Sequence, residues 1–174
     1  MRYWLLIACL LGSPALQAET LRSAVRHKHG SSDLRIAVDG ADMTIDLDGP
    51  AGNILGFEHV PATPGEKSAL AKALDTLRSG DNLFLTPPVA ACRMVSAAVS
   101  PPVFGTGDHA DLRASWSFHC GSPPSLQWVE AQLMAVFPDV VKLTTAMVSP
   151  GGQKAVVLTP GTPRALLPGQ TTTR

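Results

Sequence analysis

The chain has 174 residues and a formal net charge of zero, because 14 lysine and arginine residues balance 14 aspartate and glutamate residues. No basic stripe or acidic tract interrupts that balance, so nucleic acid and acidic membrane surfaces are poor candidate partners. This length suffices for one domain with its own hydrophobic core.

The N-terminus has the layout of a secretory signal peptide. Arg2 precedes a short apolar run, and small residues lead to Ala18, as at a signal cleavage site. The run is shorter than the roughly 20 apolar residues of a spanning helix, so no transmembrane segment is expected in the mature chain. We predict removal of residues 1–18 and export of the rest of the chain. Lipoprotein cleavage before Cys9 is an alternative that leaves a very short apolar region.

Alternation of apolar and polar residues predicts most of the mature chain to be β-structure. The sharpest alternation is at residues 111–120, and Gly-containing turns predict two hairpins. Residues 50–64 are rich in glycine and proline and predict a loop. The predicted strands cover residues 34–38, 43–47, 83–85, 91–99, 111–120, 140–148 and 155–158.

Helical spacing predicts two helices. The first covers roughly residues 65–79, and the second covers roughly residues 126–137 with Ser125 as its cap. Residues 159–174, rich in Pro, Gly and Thr, predict a flexible tail. The expected fold is therefore α+β, with a mainly antiparallel sheet and two helices packed on one face, in a single domain at residues 19–158.

Signal cleavage leaves two cysteines, Cys92 and Cys120, which can pair only with each other. In an oxidising compartment we expect a disulfide. Closing a loop of about 30 residues would stabilise the fold by about 3 to 4 kcal/mol on the chain-entropy model. A redox pair or a thiolate metal site is the alternative, although the CxxC spacing is absent.

Five histidines are the side chains best suited to bind a ligand, because imidazole is a preferred zinc ligand where thiolates are oxidised. His27 and His29, in RHKHG, project to the same side of an extended segment and could chelate together. The alternative is a solvated polar segment before the first strand. His119, on the polar face of a strand, is interpreted as a surface residue.

Two further pairs combine a histidine with a carboxylate. Glu58 and His59 lie on the predicted loop, and His109 and Asp111 share a face at the start of a strand. Either pair could supply a nitrogen and an oxygen ligand, or its carboxylate could orient an imidazole from behind. The alternatives are capping of loop amides by the first pair and ordinary strand-start polarity for the second.

No motif predicts an enzyme, since GxSxG, HExxH and comparable patterns are absent. We therefore expect no catalytic activity. A hydrolytic metal site is the alternative, with Glu58 as its one identifiable base.

Four motifs follow one another along the chain: HKHG at 27–30, LRIAVDGADMTIDLDGPAGNILGFEH at 34–59, SPPVFG at 100–105 and HADLRASWSFHC at 109–120. In this order they resemble the ZrgA-type periplasmic zinc-uptake proteins of Gram-negative bacteria. The resemblance covers about residues 26–158 and implies zinc binding in the periplasm in support of zinc import.

Matching the family's motifs residue by residue implies a set of metal ligands and a disulfide. The ligand set is His27, His29, Glu58, His59, His109 and Asp111, and the paired cysteines are Cys92 and Cys120. Family members commonly carry a long His-rich insertion, whereas only residues 106–108 separate Gly105 from His109 here. A high-capacity storage role or a donor arm is therefore in doubt.

The leading hypothesis is a periplasmic protein that binds one divalent ion. Zn2+ is the first choice, and Cu2+ and Ni2+ also suit imidazole ligands. A zinc ABC importer or its binding protein is the implied partner. The alternative is a non-metal envelope interaction module in which the histidines are incidental.

Overall fold

The computed structural model describes residues 29–80, 82–105 and 109–170. The strands are β1 (Ser31–Asp39), β2 (Asp42–Pro50), β3 (Phe84–Leu85), β4 (Cys92–Ser100), β5 (Asp111–Cys120), β6 (Trp128–Ala131), β7 (Lys142–Ser149), β8 (Gly152–Leu158) and β9 (Arg164–Leu166). The α-helices are α1 (Gly52–Leu55), α2 (Pro64–Ser79) and α3 (Leu133–Val136).

Six strands form the main sheet in the order β4-β5-β2-β1-β7-β8. Both predicted hairpins form, as β1 with β2 and β7 with β8. Among the strands of the described residues, only β1 and β7 pair in parallel, with Ser31 opposite Lys142. The mainly antiparallel α+β fold is confirmed. The parallel pair brings the start of β1 beside the start of β7, which matters for the site below.

One face of the sheet is buried, as the period of 2 predicts. On β5 the buried residues alternate with residues open to solvent, and Trp116 is completely buried. Its indole N–H donates to the Leu77 carbonyl of α2 at 2.7 Å, so the one polar atom of this large ring is satisfied. A single hydrophobic core thus joins the sheet to α2.

The predicted first helix is confirmed as α2. Thr63 caps it: its hydroxyl accepts from the Glu66 backbone N–H, while the Glu66 carboxylate accepts from the Thr63 backbone N–H. Gly80, at φ +61°, ends the helix, and a Cβ there would lie 3.0 Å from Trp116 Cδ1. A larger residue would be strained and would push into the core.

The predicted second helix is wrong for most of its length. Residues 128–131 form β6, and only Leu133–Val136 form one helical turn, α3. The strand lies between β3 and β9 in a three-stranded sheet, where Val129 and Ala131 are buried. The apolar residues fit both a helical and an alternating pattern, and pairing with two distant strands decides between them.

The predicted flexible tail is wrong for residues 159–170. Arg164–Leu166 form β9, which pairs with β6, and Ala165 and Leu167 are each only 3 % exposed. A short segment with few apolar residues is folded here because it completes the small sheet and covers the core.

A disulfide joins Cys92 and Cys120, as predicted. The two cysteines are directly opposed on β4 and β5, with their Cα atoms 3.8 Å apart. No helix among residues 29–170, apart from the undescribed positions 81 and 106–108, is long and apolar enough to cross a membrane. The predicted signal peptide lies outside the described residues.

Candidate metal centre

The loop between β2 and α2 folds back on itself to bring Glu58 over the start of α1. The single turn of α1 ends at Gly56, which adopts φ +79° and donates its backbone N–H to Gly52 O at 2.8 Å. The reversal places the Glu58 carboxylate against Gly52, where an added Cβ would lie 2.9 Å from Oε1. The absence of a side chain at Gly52 therefore makes room for the carboxylate.

The Glu58 carboxylate is largely buried between two histidines. Its side chain is 10 % exposed, Oε2 lies 3.1 Å from His109 Nδ1, and Oε1 lies 3.9 Å from His29 Nδ1. The second distance is too long for a hydrogen bond. Within the part of the chain that the structure describes, Oε1 is buried and has no hydrogen-bond partner. Such a buried, unsatisfied acceptor is costly and rare in folded proteins.

One of the two histidines precedes Glu58 in the chain and the other follows it, and both side chains are open to solvent. His29, in the turn before β1, has a side chain 78 % exposed, and that of His109, two residues before β5, is 58 % exposed. The backbone N–H of Ala51 donates to Ala110 O at 2.7 Å and holds the second segment beside α1. Exposed imidazoles around a buried carboxylate leave the site accessible from solvent.

A cavity of about 400 Å³ opens beside Glu58 and is lined also by His29, Asn53, Phe57 and Asp139. Asp139 is a residue that the sequence reasoning missed. Its neighbours Phe137 and Pro138 carry no ligand pattern, and it reaches the cavity because β7 pairs in parallel with β1. Only knowledge of that pairing would have identified it.

His59 points away from Glu58 towards α2. Its Nε2 lies 3.6 Å from Glu66 Oε1 and its Nδ1 lies 3.1 Å from Val60 O. Its ring centroid is 5.3 Å from that of Phe57. The structure therefore places the two neighbours in the GFEH loop in different surroundings.

The backbone amides at the start of α2 hold the partner of His59. Hydrogen bonds from the backbone N–H of Thr63, at 3.0 Å, and of Ala62, at 2.8 Å, lower the pKa of Glu66. Attraction to His59 lowers the Glu66 pKa by a smaller amount, and burial of the carboxylate acts in the opposite direction. Glu66 thus already serves as the cap of a helix.

The remaining predicted positions are placed as follows. Asp111 opens β5 opposite Pro50 and lines a second cavity with Ser100 and His109. His119 is a surface residue whose Nδ1 lies 2.8 Å from Asp42 Oδ1. His27 lies outside the described residues.

The described side chains alone do not form a closed metal cage. Among residues 29–80, 82–105 and 109–170, no three His, Cys, Asp or Glu side chains are arranged to hold an ion. At Glu58 the nearest imidazole nitrogens are His109 Nδ1, 3.1 Å from Oε2, and His29 Nδ1, 3.9 Å from Oε1. Half of the predicted set, His29, Glu58 and His109, is nevertheless brought together.

Comparison with known proteins assigns the chain to a family. Residues 26–167 match the family described as ZrgA family zinc uptake protein. No curated protein matches the chain. The match spans both sheets and every described residue of the candidate metal centre, so the chain belongs to the ZrgA family of zinc uptake proteins.

Proposed function

We propose that the protein binds one divalent metal ion, zinc first, beside Glu58 in the periplasm and so supports zinc uptake. The ligands proposed are Glu58, His29 and His109, with His27 as the further imidazole that the sequence offers two residues before His29. The observation that carries the proposal is Glu58 Oε1, buried and without a hydrogen-bond partner among the described residues. A cation would satisfy the oxygen and compensate for the buried negative charge.

The two Glu58 oxygens suit different tasks. Oε2 lies 3.1 Å from His109 Nδ1 and, before metal binds, can accept its N–H, which holds the ring beside the carboxylate. Loss of that proton on metal binding would leave Nδ1 as a nitrogen ligand next to Glu58. Oε1 remains available as an oxygen ligand. Nitrogen and oxygen donors of this kind are the ordinary ligands of zinc.

The chemistry of the donors limits the choice of metal. Cys92 and Cys120 are joined to each other, so no thiolate from this pair contributes. Imidazole and carboxylate suit zinc and also copper and nickel, and the zinc uptake family favours zinc. We propose that these donors, which line an accessible cavity, bind the ion for transport and not for catalysis. The ion would pass to a zinc importer.

The test is a zinc titration of the tag-free mature protein by calorimetry, with bound metal counted after dialysis. We expect one zinc per wild-type chain and loss of that zinc in Glu58→Gln and in His109→Ala. Asp42→Asn and His119→Ala are matched controls, because that pair makes a similar contact, at 2.8 Å, on the open face of the sheet. The controls should bind as the wild type does.

Two results would reject the proposal. Absence of stoichiometric metal in the folded wild type would favour the non-metal interaction module. Equal loss of zinc in the Asp42 and His119 variants would show that binding does not depend on the Glu58 centre.

A further inference from the structure

We propose that Asn53 is the positioning residue of this centre: it fastens the segment that carries His29 to the helical turn that leads to Glu58. The inference rests on the proposed function, because it concerns how the ligands of that site are held. Asn53 is not itself proposed as a metal ligand.

Every polar atom of the Asn53 side chain is used on three consecutive residues of the His29 segment. Oδ1 accepts from the Gly30 backbone N–H at 2.7 Å, and Nδ2 donates to Ser31 O at 2.9 Å and to Ser32 Oγ at 3.1 Å. The residue is 2 % exposed, so water does not compete for these bonds. The side chain thus fixes the backbone immediately after His29.

The turn that carries Asn53 is also tied to the other two ligand-bearing segments. Gly56 N donates to Gly52 O just before Glu58, and Ala51 N donates to Ala110 O just after His109. A four-residue helix has almost no stability of its own, so these bonds hold α1 in place. The turn is therefore the common support for His29, Glu58 and His109.

The geometry requires an amide at this position. One side chain must accept a hydrogen bond from Gly30 and donate others to Ser31 and Ser32. Aspartate keeps the acceptor but loses both donors, and alanine loses all three bonds. The His29 side chain itself is 78 % exposed. The backbone N–H groups of Val141 and Lys142 also donate to Gly30 O, each at 2.9 Å, so Asn53 and the chain at the start of β7 together hold the residue after His29.

The experiment is a double-mutant cycle on zinc affinity in the full mature chain. Residues that orient metal ligands typically change affinity by about 10- to 100-fold, so Asn53→Ala should weaken zinc binding by about tenfold. In a His29→Ala background, Asn53→Ala should change zinc affinity by less than about twofold, because the side chain that Asn53 positions is already absent. An equal loss in both backgrounds would overturn the inference.

Two further variants separate positioning from general damage. Leu167→Ala removes a buried side chain of the segment that covers the small sheet, and should lower stability while leaving zinc affinity unchanged. Asn53→Asp adds a negative charge, which alone favours a cation, yet we expect weaker binding because the donors are lost. If Asn53→Asp binds zinc as tightly as the wild type or more tightly, the inference is contradicted. This variant also replaces Asn53→Ala in the test if Asn53→Ala does not fold.

The outcomes distinguish the two proposals. A wild type without zinc rejects the metal centre itself. A wild type that binds zinc through His29 and Glu58, but whose affinity is unaffected by Asn53→Ala, rejects only the positioning role.

Discussion

Residue 52 is a glycine in a place where a side chain would collide with the proposed ligand. A Cβ there would lie 2.9 Å from Glu58 Oε1 and 3.1 Å from its Cγ. The carboxylate is the far end of a flexible side chain, so it can swing away without disturbing the backbone. Its present position, buried and unsatisfied within the described structure, is one that a stability argument alone does not explain.

Gly52→Ala is therefore expected to retain the fold and lose zinc. The free energy of unfolding of the variant should lie within about 1 kcal/mol of the wild-type value, since alanine is tolerated in a helical turn. Its zinc affinity should fall at least about tenfold because Glu58 no longer lies between His29 and His109. Thermal unfolding measures the stability and zinc titration measures the affinity, with Gly65→Ala in α2 as the control for both. Undiminished zinc affinity in Gly52→Ala would contradict the assignment of Glu58.

At the scale of elements, α2 is fastened at its start by the capping box of Thr63 and Glu66. Backbone N–H groups of Thr63 and Ala62 lower the Glu66 pKa, which means that the charged carboxylate is favoured in the folded state. The carboxylate therefore stabilises the fold above the ordinary pKa of glutamate, about 4.3, and this contribution disappears as pH falls through the lowered value.

In Glu66→Gln the free energy of unfolding should accordingly depend less on pH in the acid range. At neutral pH the wild type should be the more stable protein, and the difference should shrink as the medium becomes more acidic than the ordinary glutamate pKa. Denaturant unfolding of both proteins across the acid range measures this. Curves that stay parallel to low pH would show that the charge of Glu66 contributes nothing. Zinc binding at neutral pH should be the same in both, because His59 and Glu66 lie outside the proposed ligand set.

At the scale of the molecule, the sequence pattern predicted correctly those features that depend on neighbouring residues alone. The alternation at Leu112, Trp116 and Cys120 identified the buried face of β5, and Pro64 and Gly80 marked the ends of α2. The strand at residues 128–131 was missed because it pairs with β3, which lies about 46 residues earlier, and with β9, which lies about 36 residues later. No periodicity within a segment encodes a distant partner.

The candidate site shows the same division. Residue types identified Glu58, His29 and His109, since imidazole beside a carboxylate is a recognisable ligand pattern. They could not separate Glu58 from His59, which are adjacent in sequence but face His109 and Glu66 respectively. Asp139 and the anchoring role of Asn53 depend on the parallel β1 and β7 pair and on a buried amide, which only the folded chain reveals.

The C-terminal segment tests the whole-molecule account of the fold. Deleting residues 159–174 should destabilise the protein by at least about 2 to 5 kcal/mol, the usual cost of losing one buried leucine, because Leu167 and Ala165 cover the core. Deleting only residues 171–174 is the control and should leave the unfolding midpoint unchanged. Equal stability of the two truncated proteins would mean that β9 contributes nothing to the core.

The most direct test of the metal centre is an anomalous difference map from a zinc-bound crystal, recorded at the zinc absorption edge. The account predicts one strong peak in the cavity beside Glu58, about 2.0 to 2.2 Å from a carboxylate oxygen and from imidazole nitrogens of His29 and His109. A peak between His59 and Glu66, or between His119 and Asp42, with none beside Glu58, would contradict it.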